Sequence, residues 1–228
     1  PAAIAHFRAY KRLISNKLDT LPGKELTALY KHLLSGKNPH LTTSKPLLTP
    51  AILLLDIDRC ADLRTNYGNL IDGEIVRFTN LVNEILRQFG GRLIKQSIDS
   101  FTLYFDQGQP LQFAIALQRH ITRTRWALPE PLTIHMVITT IQNNQGNHPE
   151  YSPEILLCQQ LLQSASTGQV LLTDSAVKNL ELPNASRTHN LGSFLLSGQS
   201  NSTQVYLLIH PHLTGLEPNP LPNLVRSP

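Results

Sequence analysis

Apolar and polar positions divide the chain into two stretches built on different periods. In the first, Phe7, Tyr10, Ile14 and Leu18 recur at helical spacing, and Leu26, Leu29, Tyr30, Leu33 and Leu34 draw a second apolar stripe. Asp19, Pro22 and Gly23 supply turn chemistry between them, and Gly36 stands where a helix would stop. This predicts a helical hairpin with its linker over residues 1–45. From Ala51 the pattern alternates between strand and helix. A buried strand is predicted over 51–55, and Ile75, Phe78, Val82, Ile85 and Leu86 mark a long amphipathic helix ending at Gly90 and Gly91. A hairpin over 92–97 and 101–105 follows, then a helix marked by Phe113, Ala114, Leu117 and Ile121. A strand over 132–141, a polar loop over 142–150, a helix over 155–162 and a strand over 169–173 come next. The last strand pair is 187–191 with 204–209, and 211–228 reads as a proline-rich tail. The order of strand, two helices, two strands, helix, strand, helix and strand fits an α/β class, an α+β sandwich with a ferredoxin-like core over 46–210.

Composition narrows the class without naming a function. The 228 residues are 41% hydrophobic, enough for one sizeable core. The longest apolar run is far too short to span a bilayer, no signal peptide is visible, and a cytoplasmic location is expected. The first residue is Pro1, which suggests a piece of a longer chain. Cys60 and Cys158 have no metal-type spacing and read as two buried thiols. The formal net charge is +4, and the basic surplus sits early: residues 1–50 hold eight Lys/Arg against Asp19 and Glu25. No basic stripe interleaved with aromatics points to nucleic acid. The nine histidines form no metal constellation, and no P-loop, dinucleotide fingerprint or nucleophile elbow is present.

Two aspartates carry the candidate chemistry. Asp56 closes the first apolar strand, and Asp99 falls at the tip of the predicted hairpin. On adjacent strands their carboxylates can converge. Paired carboxylates beside a triphosphate hold Mg²⁺ or Mn²⁺ through hard oxygen ligands. Such metals activate an attacking hydroxyl and neutralise a leaving pyrophosphate. Aspartates at strand ends and turns also occur for purely structural reasons, so the residues alone leave both readings open.

An ordered series of segments tips the balance. The stretch from Leu53 through Asp56 to Asp58 resembles the first metal-binding strand of class III adenylate and guanylate cyclases. Residues 89–105, with Lys95 and Asp99, are similar to their second metal hairpin. Residues 114–118, 132–138, 168–174, 190–198 and 205–208 resemble the later helices and strands, so the resemblance runs from 51 to 209. It implies Asp56 and Asp99 as metal ligands for Mg²⁺ or Mn²⁺, and Ile57 and Lys95 as nucleotide-binding residues, with Lys95 reading the purine base of ATP or GTP. It also implies an active centre formed across a dimer interface, with a second copy or another cyclase-like chain. Residues 1–45 separately resemble the last helical pair of the bacterial transcriptional activator domain, a helical-repeat module, through residues 6–10, 25–30 and 33–36.

The departures from the cyclase pattern are as informative as the matches. The transition-state Asn position falls on Leu156 and the Arg position on Gln160. The second base-reading position falls near Pro149, and a phosphate-binding Lys position falls on Ser197. Leucine cannot orient a ribose, and glutamine cannot neutralise a pentavalent phosphorus. One lost charge contact of this kind costs on the order of 3 kcal/mol, about a hundredfold in rate. The expectation is a pseudoenzyme, a regulatory, nucleotide-sensing or dimerisation module of a larger signalling or transcriptional regulator. The alternative is the metal-bearing half of an active cyclase whose partner supplies the missing groups. A further alternative is a degenerate diguanylate cyclase domain of the GGDEF type, since Asp56, Asp58, Asn66, Tyr67 and Gly68 resemble the start of those domains. The loop over 97–101 lacks the paired glycines of their signature.

Overall fold

The computed structural model describes residues 49–141, 149–197, 201–219, 221–222 and 224–226. The helical hairpin expected over 1–45 and most of the polar loop at 142–150 lie outside the described residues. The chain divides after Leu47, and everything described here belongs to the second unit.

One eight-stranded sheet organises this unit. Its strands are β1 (Ala51–Ile57), β2 (Gly91–Gln96), β3 (Ser100–Phe105), β4 (Ile134–Thr140), β5 (Val170–Thr173), β6 (Arg187–Leu195), β7 (Thr203–Ile209) and β8 (Val225–Arg226). Their order across the sheet is β2-β3-β1-β4-β5-β7-β6-β8. Among the described residues only β4 and β5 pair in parallel, and the first four strands carry the ferredoxin-like arrangement predicted from the sequence. The helices are α1 (Cys60–Tyr67), α2 (Asn69–Gln88), α3 (Pro110–Arg123), α4 (Pro153–Leu162) and α5 (Asp174–Asn179). The short α5 was not anticipated. Its first turn is capped by the Thr173 hydroxyl, which accepts from the Ala176 N–H at 3.3 Å.

The apolar run of β1 makes it central, because a strand buried on both faces must lie between neighbours. Leu53, Leu55 and Ile57 face one core with Phe78, Val82 and Ile85 of α2 and Phe113 and Leu117 of α3. Ile52 and Leu54 face a second core with Cys158, Leu161 and Leu162 of α4. The periodicity of α2 follows from this contact, since its buried residues recur every three or four positions along one face. Both cysteines are buried and unbridged. Among the described residues no helix is long and apolar enough to cross a membrane.

The proline-rich segment expected as a tail packs onto the sheet. Leu213 joins the first core and Leu221 the second, and Val225 and Arg226 pair with β6 as β8. The buried Gln118 of α3 ties this strap down. Its carboxamide donates to Gly168 O at 2.8 Å and accepts from the Thr214 N–H at 3.2 Å. Gly215 lies so close to Gly168 that an added Cβ would sit 2.3 Å from main-chain atoms.

Candidate functional site

Asp56 is the penultimate residue of β1, opposite Ser100 of β3 and His135 of β4. The Ile57 N–H donates to Asp99 O at 2.9 Å, and the Ser97 N–H donates to Ser100 O at 2.8 Å. These two bonds fix the hairpin tip against the end of β1 and so bring the Asp56 and Asp99 positions together. The Asp56 carboxyl is half-buried, and its Oδ1 is buried with no hydrogen-bond partner. Burial, then the charge of Asp99, and more weakly that of Asp58, push its pKa up to about 6, against the opposing pull of the Ile57 N–H. A carboxylate oxygen that is desolvated, unpaired and set beside a second carboxylate is destabilised as it stands. A divalent cation relieves both causes, so the donor set fits Mg²⁺ or Mn²⁺. Among the described residues no group of three His, Cys, Asp or Glu side chains converges. A cation held by Asp56 and Asp99 would therefore take its other ligands from water and phosphate oxygens, as Mg²⁺ commonly does.

Two cavities meet at this point. The first, about 310 Å³, is lined by Asp56, Lys95, Ser100, Thr102, Gln159 and Gln163 among others. The second is a more open groove of about 600 Å³ lined by Asp99, Ser97, Ile98 and the Cys60, Ala61 and Arg64 side of α1. Ser97 borders both. Lys95 reaches the first cavity because β2 carries a bulge. The register runs Leu93 to Leu103 and then Lys95 to Thr102, with Ile94 as the extra residue. An uninterrupted ladder would set Lys95 opposite Phe101, whose side chain enters the first core. One inserted residue moves every later side chain to the other face.

The remaining sequence-named positions are placed differently. The Ile57 side chain is buried in the first core, and its N–H donates to Asp99 O. Pro149 is buried at the start of a 3-10 turn, Pro149–Tyr151, beside β2. Leu156 lies on the outer side of α4, 64% exposed. Gln160 and Ser197 meet each other: the Gln160 carboxamide donates to Ser197 O at 3.0 Å and accepts from the Ser197 N–H at 2.7 Å.

Sequence reasoning missed several neighbours. Asp58 accepts hydrogen bonds from the Thr167 and Thr133 hydroxyls, which ties the β1–α1 turn to the segments entering β4 and β5. Arg59 turns that corner in the left-handed region at φ 50°. His135 has a buried Nδ1 without a partner, and burial lowers its pKa, partly opposed by Asp58. Gln159 on α4 and Gln163 just after its end carried no signal, because only the packing of that helix against β1 and β4 carries them to the cavity.

The fold of this unit has counterparts among solved proteins. The chain is similar to adenylate cyclases from Trypanosoma brucei described in their monomeric state, with 17% identity over 72% of this chain and 88% of the other at a TM-score of 0.60. It is similar to the adenylyl cyclase CyaB from P. aeruginosa, with 17% identity over 71% and 93% at 0.58. A third likeness is to the guanylate cyclase domain of RhGC from Catenaria anguillulae in complex with GTP, with 11% identity over 72% and 97% at 0.57. No family model matches the sequence, and no curated protein sequence matches it. At such identities the likeness is one of fold. The described unit has the fold of class III adenylate and guanylate cyclase catalytic domains.

Proposed function

We propose that the domain binds a purine nucleotide with a divalent cation and does not turn it over, acting as a nucleotide-sensing, regulatory module of a larger signalling or transcriptional regulator. The observation that carries this reading is the unpaired, buried Asp56 oxygen beside Asp99, at the junction of two cavities. Asp56 and Asp99 would hold the cation, which would supply charge neutralisation for the phosphates. Lys95 would donate to an acceptor on the base. The groove beside α1 would take the phosphate chain, with Arg64 on its wall. The absence of turnover is supported by Leu156, which has no polar group to offer a ribose, and by Gln160, which is neutral and held by Ser197. A dimer with a second copy or with another cyclase-like chain belongs to the same reading, as the form in which a bound state is transmitted.

Calorimetric titration with non-hydrolysable ATP and GTP analogues in Mn²⁺ tests the binding claim. Binding that disappears in Asp56→Ala/Asp99→Ala is the expected outcome, and no binding at millimolar ligand would refute it. Turnover is tested separately with Leu156→Asn/Gln160→Arg. Cyclic nucleotide from the wild type at the level of that variant would remove the pseudoenzyme reading.

A further inference from the structure

Among the described residues, three buried side-chain atoms have no hydrogen-bond partner, and two of them, Asp56 Oδ1 and His135 Nδ1, belong to one ladder pair. Asp56 of β1 stands directly opposite His135 of β4. Side chains so placed share a face of the sheet, with Cβ atoms about 5 Å apart. That face is the one covered by α4, because the pair two residues along, Leu54 and Val137, lies in the second core. In the other direction comes Asp58, which accepts from the Thr133 and Thr167 hydroxyls. His135 is only 9% exposed, so bulk water does little for its ring.

A polar atom buried without a partner is costly, and two in adjacent side chains call for one explanation. A carboxylate oxygen only accepts hydrogen bonds, and a neutral imidazole has one nitrogen that accepts. A second acceptor cannot satisfy the first. A divalent cation on the Asp56 oxygen can satisfy both, because Mg²⁺ and Mn²⁺ keep several of their waters when protein carboxylates bind them. Those waters are strong donors, and the ring of His135 is on the same face as the carboxylate, one strand away. Partners of this outer kind orient the ligands of a metal, and their removal typically weakens metal affinity by about 10- to 100-fold.

We infer that His135 is a positioning residue of the cation site, its Nδ1 accepting a hydrogen bond from a water carried by the cation that Asp56 and Asp99 hold. This rests on the cation reading proposed above and holds whichever chain completes the nucleotide site.

The test pairs two variants with two readouts on the full chain. Free Mn²⁺ is followed by electron paramagnetic resonance during titration, alone and with non-hydrolysable ATP and GTP analogues. Urea unfolding is followed without metal. His135→Leu removes the acceptor at similar volume, whereas His135→Asn keeps an acceptor two bonds from Cβ, where Nδ1 stands. His135→Leu should weaken Mn²⁺ binding about tenfold or more. Its metal-free urea midpoint should equal or exceed that of the wild type, since a stranded nitrogen has been replaced by carbon. His135→Asn should bind Mn²⁺ within about threefold of the wild type. Wild-type affinity in His135→Leu would overturn the inference and leave the cation reading standing. So would a loss of affinity that His135→Asn fails to restore, or one accompanied by a lower urea midpoint, because either would mark a packing role. A wild-type chain that binds no Mn²⁺ under any of these conditions would overturn both proposals together.

Discussion

At the scale of single residues, Asp56 concentrates the site's electrostatic tension. Its folded pKa of about 6 lies above the ordinary carboxylate value of 3.8. Between those two values the folded chain keeps a proton that the unfolded chain has released. Stability therefore falls as pH rises through that window, and the deficit persists above it. The full shift corresponds to roughly 3 kcal/mol, and solvent screening of a half-exposed carboxyl reduces this to about 1–2 kcal/mol. Asp56→Asn should accordingly stabilise the fold by about 1 kcal/mol at pH 8 and be neutral near pH 4. Urea denaturation at the two pH values reads this directly. An equal loss at both would show that the carboxylate carries no strain. Mn²⁺ should raise the unfolding midpoint of the wild type at pH 8 and leave that of Asp56→Asn unchanged.

At the scale of elements, the site depends on irregularities rather than on ideal strands and helices. The β2 bulge aims Lys95, the left-handed Arg59 turns β1 into α1, and the hairpin tip docks on β1 through one main-chain bond from Ile57. The strap that follows β7 is held the same way. Gly168 has φ 78°, and Gly215 packs against its main chain with no room for a side chain. Gly215→Ala must push two stretches of backbone apart, which should cost about 2 kcal/mol or more. Thr167, the neighbour of Gly168, holds Asp58, so the strap and the β1–α1 turn are tied to the same segment. Thermal unfolding measures the stability cost, and a Gly215→Ala protein as stable as the wild type would mean that the two glycines separate freely.

For the molecule as a whole, the two cores on either side of one sheet are joined at the C-terminal end by this strap. Leu213 fills the helical side and Leu221 the α4 side. Gln118 and Gln169 both spend carboxamide hydrogen bonds on strap atoms, Gln169 through Glu217 O at 3.0 Å. A chain ending at 210 would expose two leucine sites and leave buried amides unpaired, a loss on the order of 5 kcal/mol. The expected result is a truncated protein that binds a hydrophobic dye and unfolds at markedly lower urea. If its midpoint matched that of the full chain, the strap would be an ornament on a fold complete without it.

Most elements of the sheet and its helices were legible in the chain itself. Hydrophobic periodicity is imposed by burial on one face, so β1, α2, α3 and the paired strands β6 and β7 announce themselves locally. Asp56 and Asp99 were visible as acidic residues ending one apolar run and interrupting the next. Three things were decided only in three dimensions. The face on which Lys95 emerges depends on a bulge, and nothing local distinguishes Ile94 from an ordinary strand residue. The fate of Gln160 depends on Ser197, thirty-seven positions away, and that of Gln118 on Thr214. Gln159 and Gln163 became part of a cavity only because the Cys158, Leu161 and Leu162 stripe sets the roll of α4 on the sheet. Sequence determines which faces must be buried. Which polar groups then meet across the remaining faces is fixed by register and packing, whose partners lie far apart along the chain.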